Sequence, residues 1–216
     1  MTAIAIRAGE VDLPGDLTLP PDPTGVVAFA HGSGSSRLSP RNRRVAASLV
    51  DAGLGTLLFD LLVPGEELDR ANVFDIPLLA GRLLAAMRWL REAPGTAALP
   101  LGYFGASTGA AAALWAAAEA QDEVGAVVSR GGRPDLAGER LALVGAPTLL
   151  IVGGADEVVL ELNREAMRLL RCERELVVVP GATHLFEEPG ALEQVGQLAA
   201  AWFLAHLARP ADAARS

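Results

Sequence analysis

Hydrophobic positions along the chain fall into two alternating patterns. Short, near-continuous apolar runs occur at Gly25–His31, Gly55–Asp60, Leu99–Phe104, Val124–Val128, Thr148–Val152 and Glu175–Val179. They read as strands buried on both faces. Between them, apolar residues recur at helical spacing. Arg41–Ala52 places Val45, Leu49, Val50 and Ala52 on or near one face. Ile76–Leu90 carries a stripe of Ile76, Leu79, Ala80, Leu83, Leu84, Met87 and Leu90. Ala110–Ala120, Val159–Leu170 and Ala191–Leu207 complete the predicted helices, and Ile4–Arg7 and Leu17–Leu19 read as two short leading strands. This alternation predicts an α/β fold, a mostly parallel sheet with helices on both faces. With 216 residues, 51% of them hydrophobic, the chain has material for one domain with a sizeable core, expected over 1–210. A frayed tail is expected over 211–216.

Composition narrows the chemistry. All 18 basic residues are arginine. A phosphate-binding loop that needs a lysine is therefore excluded, as is Schiff-base chemistry on a protein lysine. The net charge of −8 and the absence of a basic cluster argue against nucleic acid as a partner. No run approaches the ~20 apolar residues of a membrane span. Met1–Glu10 lacks the pattern of a secretory signal, so a cytoplasmic protein is expected. Cys172 is the only cysteine, which excludes an intrachain disulfide and a thiolate zinc cluster. It reads as structural.

Gly105-Ala106-Ser107-Thr108-Gly109 links an apolar run to an alanine-rich helix. A serine on such a sharp strand–turn–helix junction has its hydroxyl lifted clear of the sheet. Small residues are needed two before and two after it, where strand and helix nearly collide. The alternative makes Ser107 a helix N-cap, but Ala110 stands where a capping box would put Glu or Gln. A serine nucleophile needs an imidazole base and a carboxylate to orient it, in the order Ser, acid, His on this scaffold. His31 precedes Ser107, and His206 shares the apolar stripe of Leu192, Val195, Ala199, Trp202 and Phe203. His184, in the loop Pro180–His184 after the final predicted strand, is the candidate base. Asp156 is the first carboxylate beyond the Gly153-Gly154 turn and the candidate acid. Glu157 is the fallback, and Asp156 also suits an N-cap. Such a base must be neutral, so activity is expected to decline as pH falls through the ordinary imidazole range, about 6.5.

Backbone N–H groups must receive the developing oxyanion. Thr108 follows the nucleophile and offers one; Ser33, or Gly34, in the loop His31–Ser36 offers the second. That loop also supports a rival reading. Gly32-Ser33-Gly34-Ser35-Ser36-Arg37 partly matches a dinucleotide fingerprint, with Asp60 in the ribose position. Arg37 replaces its third glycine, however, and the helix starts late, at Ser39-Pro40. Arg130 and Arg133 flank Gly131-Gly132 at the same predicted sheet edge. They suit either an anionic group on a substrate or nearby surface acids. Trp89, Trp115 and Trp202 sit in helical patterns and read as core.

His31-Gly32-Ser33-Gly34, Gly105-Ala106-Ser107-Thr108-Gly109, Gly153-Gly154-Ala155-Asp156 and Gly181-Ala182-Thr183-His184 together resemble an α/β-hydrolase of the dienelactone hydrolase-like group, over nearly the whole length. The resemblance implies Ser107 as nucleophile, Asp156 as acid, His184 as base, the Ser33 and Thr108 amides as oxyanion hole, and no metal or organic cofactor. Ser107 stands where dienelactone hydrolases carry cysteine, which points to ordinary carboxylic esters or thioesters. No large cap insertion is evident; only Pro64–Pro77 is long enough to shade the site. The expected protein is a serine esterase acting on small, accessible substrates, as a monomer or homodimer. The competing class is a non-catalytic binding module on the same scaffold.

Overall fold

The computed structural model describes residues 1–207. The expected 211–216 tail and the last residues of the expected 1–210 domain lie outside them. The strands are β1 (Thr2–Ala8), β2 (Val11–Thr18), β3 (Val26–Ala30), β4 (Gly55–Phe59), β5 (Leu101–Ala106), β6 (Ala126–Arg130), β7 (Thr148–Gly153) and β8 (Arg174–Val179). The helices are α1 (Pro40–Asp51), the single turns α2 (Pro64–Glu67) and α3 (Arg70–Val73), α4 (Ile76–Glu92), α5 (Thr108–Ala120), α6 (Glu157–Leu169) and α7 (Ala191–His206). All eight strands join one sheet in the order β1-β2-β4-β3-β5-β6-β7-β8. β2 runs antiparallel to β1 and β4; every pairing from β4 across to β8 is parallel.

Period-two alternation sends strand residues to two cores. In β3, Val26, Ala28 and Ala30 face the layer of α4 and α5, while Val27 and Phe29 face α1 and α7. Small side chains let α5 come close to the sheet: Ala110–Ala113 and Ala116–Ala118 are buried almost all round the helix. Capping sets the helix starts. Ser39 Oγ accepts the Asn42 N–H (3.3 Å) at α1, and Asp75 accepts the Leu78 N–H (2.9 Å) at α4.

Three elements differ from the sequence expectation. The leading strands form a longer hairpin, Thr2–Ala8 with Val11–Thr18. Its second strand contains Asp12, Pro14, Gly15 and Asp16, which read as turn residues, yet Leu13, Gly15 and Leu17 point inward at period two. β8 is not buried on both faces: it is the sheet's edge, and only Val179 among its six residues is fully buried. A 3-10 segment at Pro134–Leu143, broken at Gly138 (φ 54°), fills a stretch with no clear periodicity. The tryptophans are only partly buried and pack on the margins of the core.

Candidate active site

Parallel strands bring their C-terminal ends to one edge, so loops distant in sequence converge there. Ser107 follows β5 directly and has φ 52°, ψ −123°, a strained conformation for a side chain with a Cβ. Its side chain makes no capping hydrogen bond to α5. The flanking glycines show why the turn closes. A Cβ at Gly105 would lie 2.4 Å from Ala110 Cα, and one at Gly109 would lie 2.2 Å from the Ala30 carbonyl oxygen. The turn is tied to the end of β6 and to the loop after it: Ser107 N–H donates to the Arg130 carbonyl (3.3 Å), and Arg133 N–H donates to the Ser107 carbonyl (3.0 Å).

Asp156 and His184 come from the ends of β7 and β8. His184 Nδ1 lies 2.7 Å from Asp156 Oδ2. A carboxylate only accepts there, so the Nδ1–H donates and the Nε2 lone pair is left for a proton. Asp156 stands at the N-cap position of α6 but its side chain makes no cap bond; the imidazole takes it instead. Gly153 allows this approach, because a Cβ there would meet the Ala182 carbonyl oxygen at 2.3 Å. The loop is fixed further by Ala155 N–H to the Ala182 carbonyl (3.0 Å) and by Thr183 Oγ1–H to Glu188 Oε1 (2.6 Å). Gly131 (φ 50°) closes the triangle: a Cβ on it would stand 3.6 Å from His184 Nδ1, and its neighbours bond to Ser107. Among the described residues no hydrogen bond joins Ser107 Oγ to the imidazole, a contact that commonly tightens only with substrate bound. His184 keeps 39% of its side chain exposed, against 16% for Asp156.

On the other side of Ser107, the loop after β3 carries Gly32, Ser33 and Gly34. A Cβ at Gly32 would sit 3.0 Å from Ser107 Cβ, so this loop packs directly on the turn. The Ser33 N–H donates to Thr108 Oγ1 (2.9 Å), linking the two residues expected to supply oxyanion donors. Thr108 is the first residue of α5, where helix N–H groups lack intrahelical partners. A cavity of about 420 Å³ opens here. Gly32, Ser33, Gly34 and Thr108 form one wall; Leu61, Leu62, Val73 and Leu79 form an apolar one; Glu67 and Leu68 stand at the rim. The rim residues come from Pro64–Pro77, the segment expected to shade the site.

His31 is buried against the cavity with both ring nitrogens engaged. Its Nδ1 lies 3.0 Å from the Gly32 carbonyl and its Nε2 accepts the Leu61 N–H (3.0 Å), which fixes a neutral tautomer. Burial pushes its pKa below the ordinary 6.5, against the pull of the Gly32 carbonyl and of Asp60 and Glu67. Asp60 binds the Arg37 N–H (2.7 Å) and the Arg37 guanidinium, and α1 begins only at Pro40. That arrangement leaves the ribose-binding reading without its acid. Neither Arg130 nor Arg133 lines the cavity. Arg133 forks onto Asp135 (2.9 and 2.8 Å). Arg130 lies buried 5.8 Å from the Phe186 ring; desolvation, and then the like charge of Arg41, push its pKa down to about 10. His206 and Cys172 are structural: His206 Nδ1 donates to the Trp202 carbonyl (2.8 Å), and Cys172 sits half-buried against Thr148 Oγ1 (3.7 Å). Sequence reasoning missed Glu67, Leu61, Leu62, Val73 and Leu79, and the positive-φ Phe186 (56°) that buries itself beside the His184 loop.

The model of the dienelactone hydrolase family matches residues 17–202. The chain belongs to the dienelactone hydrolase family. It is similar to the crystal structure of a dienelactone hydrolase from Anabaena variabilis, with a TM-score of 0.92, 57% identity, and 95% of this chain and 97% of that one covered. Est1E from Butyrivibrio proteoclasticus shares the fold at 16% identity (TM-score 0.82, 96% and 99% covered). Two Mycobacterium tuberculosis proteins, each named "Putative phosphoribosyl transferase", are 63% identical over 207 residues, 96% of this chain. The chain spans 47%, about half, of the length of those curated relatives. Family and fold make this chain a hydrolase-fold protein of the α/β class. Among the described residues, no helix is long and apolar enough to cross a membrane, and no three potential metal ligands cluster.

Proposed function

We propose that this family member is a serine hydrolase of carboxylic esters or thioesters of small, accessible substrates. The observation that carries this reading is the 2.7 Å Asp156–His184 pair beside a serine held at φ 52° on the neighbouring glycine turn. In the proposed cycle, His184 Nε2 takes the Ser107 proton as Oγ attacks the carbonyl carbon. The oxyanion is received by the Thr108 N–H and, once the Thr108 hydroxyl turns aside, by the Ser33 N–H. Collapse breaks the bond to the alcohol or thiol, which leaves with the proton from His184. Water, deprotonated by His184, then releases the acid and regenerates Ser107.

Sheet order supports one orientation of the substrate. β5 lies between β3 on one side and β6, β7 and β8 on the other. His184 must reach the leaving group, so the alcohol or thiol faces the β7–β8 side and the acyl group faces the cavity beside β3 and β4. Phosphoribosyl transfer is the second reading, favoured only by the name of relatives twice as long. A phosphorylated sugar calls for cationic groups on its phosphates, whereas no arginine lines this cavity among the described residues and Glu67 edges it. Turnover of p-nitrophenyl esters and thioesters of rising chain length tests the reading. Ser107→Ala should lower kcat by about 10³-fold or more. Turnover surviving in Ser107→Ala would point to the non-catalytic alternative.

A further inference from the structure

We infer that Glu67 makes the acyl cavity select substrates with neutral or positively charged acyl ends and turn away those ending in a carboxylate. The inference rests on the ester-hydrolase reading above. It concerns the cavity lined by Gly32 and Thr108, the neighbours of Ser107; its lining includes no arginine. Glu67 is the one acid among the residues that line the cavity. Asp60 is paired with Arg37, and Glu66 accepts from Arg82 Nη2 (2.6 Å) and the Val63 N–H (3.1 Å). Glu67 has no ion pair among the described residues. Arg70, the cation of the same segment, is stacked 5.8 Å from the Phe74 ring and does not line the cavity. The Glu67 charge therefore acts across an opening whose opposite walls are apolar: Leu61, Leu62, Val73 and Leu79. Its field reaches His31 on the floor. The net charge of −8 works in the same direction at longer range.

Glu67 is exposed at the rim, so the expected discrimination is modest, about threefold to tenfold. Labelling rates of Ser107 read it directly. Three fluorophosphonates of equal length are compared, their chains ending in methyl, trimethylammonium or carboxylate, with adducts located by peptide mass spectrometry. The expected order is trimethylammonium at least as fast as methyl, with carboxylate about tenfold slower than trimethylammonium. In Glu67→Gln the spread should shrink to about twofold, the remainder coming from net charge. A carboxylate probe as fast as the cationic one, or a spread unchanged in Glu67→Gln, overturns the inference while leaving Ser107 as nucleophile. Absence of any Ser107 adduct with all three overturns the hydrolase reading itself and this inference with it.

Discussion

Single atoms decide whether Ser107 can be held as it is. A methyl on Gly109 would need the Ala30 and His31 carbonyl oxygens, at 2.2 and 2.5 Å, to retreat, and both belong to the strand end that carries the cavity loop. Gly109→Ala should therefore destabilise the protein by about 3 kcal/mol or more, read as the urea midpoint by circular dichroism. A loss under about 0.5 kcal/mol would mean the turn has slack. At this scale the candidates Ser107, Asp156 and His184 could be singled out because each follows an apolar run and lies next to small residues. The flanking glycines announced the collision that the coordinates measure. Glu67 was not legible: it sits among polar residues of an irregular stretch, and only the path of that stretch brings it to the cavity. Arg130 was ambiguous for a related reason. A guanidinium after a strand can face outward or turn under a ring, and nothing in Arg-Gly-Gly-Arg chooses.

Elements fix the relative placement of the walls. His31 ties the end of β3 to the segment after β4 through the Leu61 N–H, and its Nε2 can accept only while the ring is neutral. Because burial lowers its folded pKa below 6.5, the unfolded chain binds this proton first as pH falls. Stability contributed by the neutral ring is present above about pH 6.5 and is lost as pH falls toward the lower folded value. Denaturation midpoints at pH 7.5 and 5.5 should differ, and His31→Asn should reduce that difference. Equal midpoints in the wild-type protein would contradict this account. The parallel strands and amphipathic helices were readable from period and from apolar runs. The β1–β2 hairpin was hidden because Asp-Leu-Pro-Gly-Asp has turn composition, and only pairing with β1 and, from Gly15 on, with β4 makes it a strand. β8 looked buried from its valines, yet its position at the sheet edge leaves most of them accessible.

Across the whole molecule, one sheet gathers the proposed machinery. The turns after β3, β5, β7 and β8 contribute the amide loop, the serine, the acid and the imidazole, and the turn after β6 braces two of them. Sequence order was enough to propose these strand ends as the site, whereas the 3-10 segment at Pro134–Leu143 and the path of the rim emerge only in the folded chain. Convergence on Ser107 is the central claim. Its most direct test is the mass of the peptide containing Ser107 after exposure of the folded protein to a neutral fluorophosphonate. The account predicts a single phosphonyl adduct on Ser107, formed far more slowly in His184→Ala. An unmodified Ser107 peptide, or an equal labelling rate without the imidazole, would contradict it.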